Sequence, residues 1–330
     1  MKRELTPGVM DLLSKLGESG NTEARRIYLA EDRYVIYTRA EEHMARMKDL
    51  LDISKDNPQQ TKPDNFIIVG ETSSGKTSLV KNFIRLYAAP VNDPDQPCAH
   101  LPALYVLFRA EPDEDRLYHW ILDAMFAAYK EKDRPDKKYR MVVELIKRLD
   151  VRMLIFDEFH HILTATSVRQ RRSLNTIKTL STDLQIPMVA TGIPEVFPLM
   201  RSDPQIHLRF ETLALPRWQY PPKKNEFRQF LSGLEQDLPL VQPSDLASRE
   251  IARFLYDHSE GLIGEAVKLV SRAARRAVGG EERVTLAGIK ALKPVAPSQR
   301  DVETQRELYG RVESDTKKPD GAKKPDDATS

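Results

Sequence analysis

The sequence predicts an α/β fold: a parallel sheet covered by helices on both faces, followed by a smaller helical unit. Two observations carry this. Between 65 and about 215, apolar strand-like runs at 66–69 (FIIV), 103–108 (ALYVLF), 151–156 (VRMLIF) and 186–191 (IPMVAT) alternate with segments of helical spacing. Strands buried on both faces read as continuous apolar runs, and their alternation with helices argues for βα units around a parallel sheet. The first run also leads straight into Gly70-Glu71-Thr72-Ser73-Ser74-Gly75-Lys76-Thr77, a match to G-x-x-x-x-G-K-[ST]. Such a loop between a strand and a helix cradles phosphates.

Residues 1–64 are largely polar and helical in pattern, with apolar positions at helical spacing in Arg39 to Leu51 before the breakers Asp56-Asn57-Pro58. They read as an N-terminal helical extension. The loop itself has glycines at both ends, which let the backbone close around a phosphate, and its amides and the following helix start supply N–H donors and a positive dipole end. The expected nucleotide set is Gly70, Glu71, Thr72, Ser73, Ser74, Gly75, Lys76, Thr77 and Ser78, with Lys76 on the β/γ-phosphates and the Thr77 hydroxyl on Mg²⁺. Leu79, Phe83 and Leu86 then give the helix its apolar spacing.

The run at 151–156 ends in Asp157-Glu158, about 80 residues after the loop. That is the Walker B pattern. Asp157 is expected in the Mg²⁺ shell and Glu158 as the general base that polarises water. Adjacent residues on a strand face opposite ways, so both can serve one site only if the strand ends there, as Phe159-His160-His161 suggests. Another strand, 103–108, separates the two motifs in sequence, a layout found in P-loop ATPases. Thr191 ends the run at 186–191, and two readings stay open for it: a hydrogen bond to the γ-phosphate or water, or an ordinary strand-end hydroxyl.

Arg209 follows a helical stretch near Glu195 to Met200, and two readings stay open for it: an arginine that reaches a neighbouring subunit's γ-phosphate, with Arg201 as the competing candidate, or an ordinary solvated side chain. His160 and His161 are adjacent rather than four apart, which disfavours a shared metal on a helix face. Two basic clusters could contact DNA phosphates or form solvated faces: Lys137, Lys138 and Arg140 in one, and Arg169, Arg171 and Arg172 in the other.

After Pro216, Pro221 and Pro222, helical segments at 248–258, 264–278 and 286–292 suggest a helical lid over 216–296, distinct from the core at 65–215. From 297 to 330 the chain is charged and almost free of large apolar groups, so a disordered tail is expected. The composition fits a globular protein, with 40% hydrophobic and 30% charged residues in a chain of 330. The 51 basic and 49 acidic residues nearly cancel, so any nucleic-acid surface must be local. One cysteine, Cys98, excludes an internal disulfide framework and suits a reducing compartment. No run approaches roughly 18 apolar residues, and MKRELTPGVMDLL lacks a signal-peptide core, so a cytoplasmic bacterial protein without a membrane partner is expected.

Taken together, from about Tyr28 to Ala277, the chain resembles the TniB/TnsC family of AAA+ ATPases, which regulate transposition of Tn7-like and Tn5053-like elements. The residues that carry the resemblance are Asn65 to Val69 with the loop, Asp157 to Leu163, Gln170 to Lys178, Ile186 to Gly192, Leu208-Arg209-Phe210 and Leu213 to Trp218. The resemblance implies an AAA+ P-loop NTPase core, a parallel five-stranded sheet flanked by helices, with a small helical lid. It further implies ATP and Mg²⁺ as cofactors, Arg209 as arginine finger, and a homo-oligomer, ring or filament, on double-stranded DNA. The implied partners are a TniA/TnsB-like transposase and a TnsD/TniQ-like target-selection factor. In one respect the chain departs from the pattern: Leu262-Ile263-Gly264-Glu265-Ala266 lacks the arginine that many AAA+ lids use to sense nucleotide, leaving Lys268 as the candidate substitute. The alternatives are an AAA+ replication initiator or helicase loader, whose winged-helix module the tail is not expected to hold, and a P-loop kinase, which would not need Glu158 or an intersubunit arginine.

Overall fold

The computed structural model describes residues 22–30, 37–56, 63–91, 100–219 and 226–309. Helices α1 (Thr22–Tyr28) and α2 (Thr38–Asp56) come first. Ala40, Met44, Met47 and Leu51 lie on one face of α2 and are buried in the same apolar cluster as Leu79 and Phe83. Within the segment expected as an extension, α2 therefore lays one apolar face into the core cluster. Residues 1–21 and Cys98 lie outside the described residues.

Five strands form one sheet: β1 (Asn65–Val69), β2 (Ala103–Leu107), β3 (Met153–Asp157), β4 (Met188–Gly192) and β5 (Phe210–Ala214), in the order β2-β3-β4-β1-β5. All neighbouring pairs are parallel. The three central strands are buried at every position, which is why they read as unbroken apolar runs. β5 is an edge strand that exposes Glu211 and Thr212, and this mixed pattern hid it from periodicity. In space, the strand between the loop strand β1 and the carboxylate strand β3 is β4; β2, which intervenes in sequence, lies at the far edge.

Helices α3 (Lys76–Tyr87), α4 (Glu114–Ala124), α5 (Pro135–Arg148), α6 (Ser167–Leu184), α7 (Phe197–Ser202) and α8 (Pro204–Arg209) complete the core. Side chains alternate across β1: Phe66 and Ile68 pack with α2, α3 and the lid, while Ile67 and Val69 pack with α4 to α6. Fully buried Phe83 and Phe156 each stabilise the fold by about 1.5–3 kcal/mol. Leu86, on the same spacing as Leu79 and Phe83, is instead exposed. Beneath the carboxylate strand, Phe108 packs its ring 5.5 Å from Phe156 and 5.2 Å from Phe159, fixing the end of β3.

The lid contains α9 (Glu226–Gln236), α10 (Arg249–Ser259), α11 (Ile263–Ala277) and α12 (Leu286–Lys290). Arg25 of α1 clamps it with a two-pronged pair to Glu282, at 2.8 and 2.9 Å. The start of the expected disordered tail is corrected: Pro297–Gln299 form a 3₁₀ turn and Arg300–Tyr309 form a helix, α13. Polar anchors hold what apolar burial does not, because Ser298 bonds Glu260 and Arg300 bonds Glu265. Residues 310–330 lie outside the described residues. Among the described residues, no helix is long and apolar enough to cross a membrane.

Candidate nucleotide site

The phosphate loop leaves β1 at Gly70, whose N–H donates to Gly192 O at 3.1 Å. A Cβ at Gly70 would stand 2.5 Å from Leu215 O and 2.6 Å from Ser74 Oγ, so the close approach admits glycine alone. Gly75 turns the chain into α3 at φ 94°, and Ser73 takes the left-handed region at φ 64°. Lys76 is buried, and its Nζ donates to Gly70 O and Glu71 O, both at 2.8 Å. Burial pushes the Lys76 ammonium below its ordinary pKa, against the pull of the Glu158 and Asp157 carboxylates. The Ser74 hydroxyl is buried with no hydrogen-bond partner. A buried cation and an orphan hydroxyl in a glycine-framed loop fit a polyanionic phosphate.

At the end of β3, Asp157 is fully buried and both its oxygens are held. Oδ2 accepts from the Tyr105 hydroxyl at 2.7 Å; Oδ1 accepts from the Thr191 hydroxyl and, at 3.0 Å, from the Glu158 N–H. Burial first, then the bond to Asp157, drives the Tyr105 hydroxyl upward in pKa. The strand ends at Asp157, and Glu158 sits at φ 57°, ψ 35°. This left-handed turn breaks the strand alternation, meeting the condition for both carboxylates to serve one site. Thr191 is buried, and its oxygen also receives the Glu158 N–H at 3.3 Å. Its hydroxyl is thus engaged by the carboxylate pair, so it positions that pair.

His160 Nδ1 lies 3.2 Å from Glu158 Oε2. Burial lowers the His160 pKa, with Glu158 opposing. The rings of His160 and His161 stack with centroids 4.8 Å apart, and donor atoms of Glu158, His160 and His161 lie within 4.8 Å of one another. Thr77 and Asp157 are the hard oxygen donors that would suit Mg²⁺, and Asp157 is held by neutral donors with no cation paired to it among the described residues.

A cavity of about 940 Å³ lies over the loop between core and lid. Thr72, Ser73, Lys76, Thr77, Ser78, Glu158 and His160 line its core side, and Leu29, Tyr37 and Ile263 add apolar surface. The lid touches the loop directly: Gly264 N–H donates to Ser73 O at 2.9 Å, and Ser73 Oγ donates to Glu265 Oε1 at 3.2 Å. A Cβ at Gly264 would stand 2.9 Å from Ser73 O. Where an arginine was missed, the chain therefore has an acid packed on the loop. Lys268 lines the cavity but its ammonium bonds Glu265 at 2.9 Å. Arg272 and Arg275 also face the cavity. Sequence reasoning passed over them, although 268, 272 and 275 share one helix face. Also unread in the sequence were Tyr105 and Arg217, the latter bonding Glu71 of the loop at 2.7 and 2.5 Å.

Arg209 ends α8, immediately before β5. Phe210 pairs with Asn65, at the start of β1, so Arg209 stands at the opposite end of the sheet from its own loop. Its Nη1 donates to Lys178 O at 3.3 Å and Thr182 Oγ1 at 3.2 Å. Asp203 caps α8 and pairs with Lys178 at 2.8 Å, which fixes the platform. Arg201 is exposed at the end of α7.

One expected DNA contact is corrected. Lys138 is fully buried and its ammonium is taken by Asp115 at 2.8 and 3.0 Å and by Glu131 O at 2.6 Å, so it cannot meet a phosphate. Lys137 is exposed but paired with Asp133 at 2.9 Å, and Arg169 lies 3.7 Å from Glu111. Arg140, Arg171 and Arg172 are exposed.

The fold is similar to several solved structures at low identity. The Aeropyrum pernix ORC2 protein, in its ADPNP-ADP complexes, aligns with a TM-score of 0.60 at 15% identity, covering 84% of this chain and 74% of that one. The Aeropyrum pernix ORC1 protein in complex with DNA gives 0.56 at 16%, covering 85% and 70%. A Walker-type ATPase of Pyrococcus abyssi gives 0.51 at 16%, covering 86% and 80%. No curated protein matches the sequence. The profile of the bacterial TniB protein matches residues 25–220. This match spans more than half of the chain, both nucleotide motifs and every strand of the sheet, and the chain accordingly belongs to the TniB family of AAA+ ATPases.

Proposed function

We propose that this chain is an ATP-dependent regulator of DNA transposition, which binds ATP between copies of itself and assembles on double-stranded DNA. In that state it links a TnsD/TniQ-like target-selection factor to a TniA/TnsB-like transposase, and hydrolysis releases or remodels the assembly. The observation that carries the reading is the position of Arg209: exposed on a braced helix end, at the other end of the sheet from its own loop. A cation so placed serves the site of a second copy. Family membership supports the transposition role, and the DNA complex of the similar ORC1 protein makes duplex binding a natural use of the fold.

In this reading Lys76 leaves the Gly70 and Glu71 carbonyls for the β- and γ-phosphates, while the loop amides receive the remaining charge. Thr77 and Asp157 would hold Mg²⁺, which when bound would supply neutralising charge to the phosphates. Thr191 and Tyr105 keep Asp157 oriented. Glu158 accepts a proton from water as its oxygen attacks the γ-phosphorus and the bond to ADP breaks. The partner copy's arginine stabilises the charge on the transferring group. ATP favours assembly by the margin with which the assembled state holds it more tightly.

The test is DNA association of purified Lys76→Ala and Glu158→Gln with and without ATP. The reading expects Lys76→Ala to lose ATP-dependent association and Glu158→Gln to keep it and resist disassembly. Unchanged ATP-dependent binding by Lys76→Ala overturns it.

A further inference from the structure

Two polar chains run from the phosphate loop to the segment that follows the lid. In the first, Ser73 Oγ donates to Glu265 Oε1 at 3.2 Å, and Arg300 of α13 donates to Glu265 Oε2. In the second, Glu71 takes Nε and Nη2 of Arg217, Arg217 Nη1 reaches Glu260 Oε2 at 3.3 Å, and Glu260 Oε1 accepts from the Ser298 N–H at 3.3 Å and from its hydroxyl. Both chains begin on residues of the loop and end within two residues of each other, on Ser298 and Arg300.

The first chain has an electrostatic consequence. The Glu265 side chain is only 7% exposed, against the loop where the negative phosphates would sit. A buried carboxylate there repels them unless its charge is matched. Lys268, at 64% exposure, holds one carboxylate oxygen as a point charge on a flexible stem, whereas the planar guanidinium of Arg300, at 50% exposure, takes the other. Arg300 also lines the cavity itself.

Resting on the reading of Gly70 to Ser78 as an ATP site, we propose that Arg300 is a positioning residue for nucleotide binding. Acting through Glu265, it neutralises the carboxylate that packs on Ser73 of the loop. The segment expected to be a free tail thereby completes the site.

The test is calorimetric titration of ATP·Mg²⁺ into the full chain as wild type, Arg300→Ala, Arg300→Lys, Glu265→Gln and the Arg300→Ala/Glu265→Gln double variant, with nucleotide-free melting temperatures beside it. Arg300→Ala is expected to weaken binding about tenfold, the weight of one charge-assisted bond, while its nucleotide-free melting temperature stays within about 2 °C of wild type. Arg300→Lys recovers most of the affinity. Glu265→Gln binds no worse than wild type, and adding Arg300→Ala to it costs less than about twofold, since the charge that Arg300 answers is gone. Wild-type affinity in Arg300→Ala overturns the proposal, as does an equal loss in the Glu265→Gln background, or a melting temperature that falls in step with affinity. A wild-type chain that binds no ATP overturns the nucleotide reading itself, and this proposal with it.

Discussion

Arg209 and Lys76 lie at opposite ends of the parallel sheet: Arg209 adjoins the residue paired with Asn65 at the start of β1, and Lys76 follows the loop that leaves its end. Five residues of strand separate the two ends, about 16 Å at 3.3 Å per residue. An arginine side chain cannot cover that distance within one copy. Arg209→Ala is therefore expected to reduce ATP turnover on DNA by about 10³-fold while the dissociation constant for ATP in the dispersed chain changes less than about threefold. Steady-state hydrolysis beside equilibrium titration checks both halves.

Glu158 is expected to separate binding from chemistry. Glu158→Gln keeps the left-handed turn and the N–H bonds to Asp157 and Thr191 but loses the base, so turnover falls by about 10²–10⁴-fold with ATP affinity retained. Single-turnover release of phosphate measures the difference.

Thr191→Val keeps the buried volume and removes the hydroxyl that holds Asp157. Losing that donor to a buried carboxylate costs about 1–3 kcal/mol of stability, read by denaturant unfolding. Turnover falls further than ATP affinity, because the residue positions the carboxylate pair rather than the base or sugar of the nucleotide.

Lys138→Ala is expected to act on stability. Asp115 is left with a broken pair and Glu131 O without its donor, a loss of about 2 kcal/mol, less than a fully closed pair because Asp115 is partly solvated. By contrast, Arg171→Ala and Arg172→Ala are exposed changes and leave unfolding within about 0.5 kcal/mol of wild type. A chemical denaturation series on the three variants sorts them.

For acid stability the sign follows from Glu265. Burial raises its pKa, but the bonds from Arg300 and Lys268 outweigh this and hold it below the ordinary value of 4.5. A depressed folded pKa contributes stability that is full above about pH 4.5 and is lost as the pH falls through the lowered value. Glu265→Gln is expected to flatten the stability curve below pH 4.5, measured as the melting temperature between pH 3 and 7.

The parts of the fold legible in the sequence were those set by short-range pattern. Phe66 to Val69 and Met153 to Asp157 are buried on both faces, so composition alone marks them as strands. The loop and the Asp157-Glu158 pair were legible because their chemistry depends on contiguous residues. β5 was not, because an edge strand with Glu211 and Thr212 exposed has no apolar run to read. Lys138 misled for the opposite reason: its neighbours in sequence are solvated, while its partner Asp115 comes from another helix. Tyr105, Glu265 and Arg300 reach the site from 52 residues before Asp157, and from 192 and 227 residues after Ser73. No local pattern announces contacts of that kind.

The central claim is that each ATP site is completed by a second copy of the chain. Mixing Glu158→Gln, which keeps assembly and Arg209 but lacks the base of its own site, with Arg209→Ala, which keeps the base but lacks the arginine, tests it directly. Each variant alone is expected to be nearly inactive on duplex DNA, and an equimolar mixture to regain about a quarter of wild-type ATP hydrolysis, the share of interfaces that join an intact Glu158 to an intact arginine. A mixture no more active than the two variants measured separately contradicts the account.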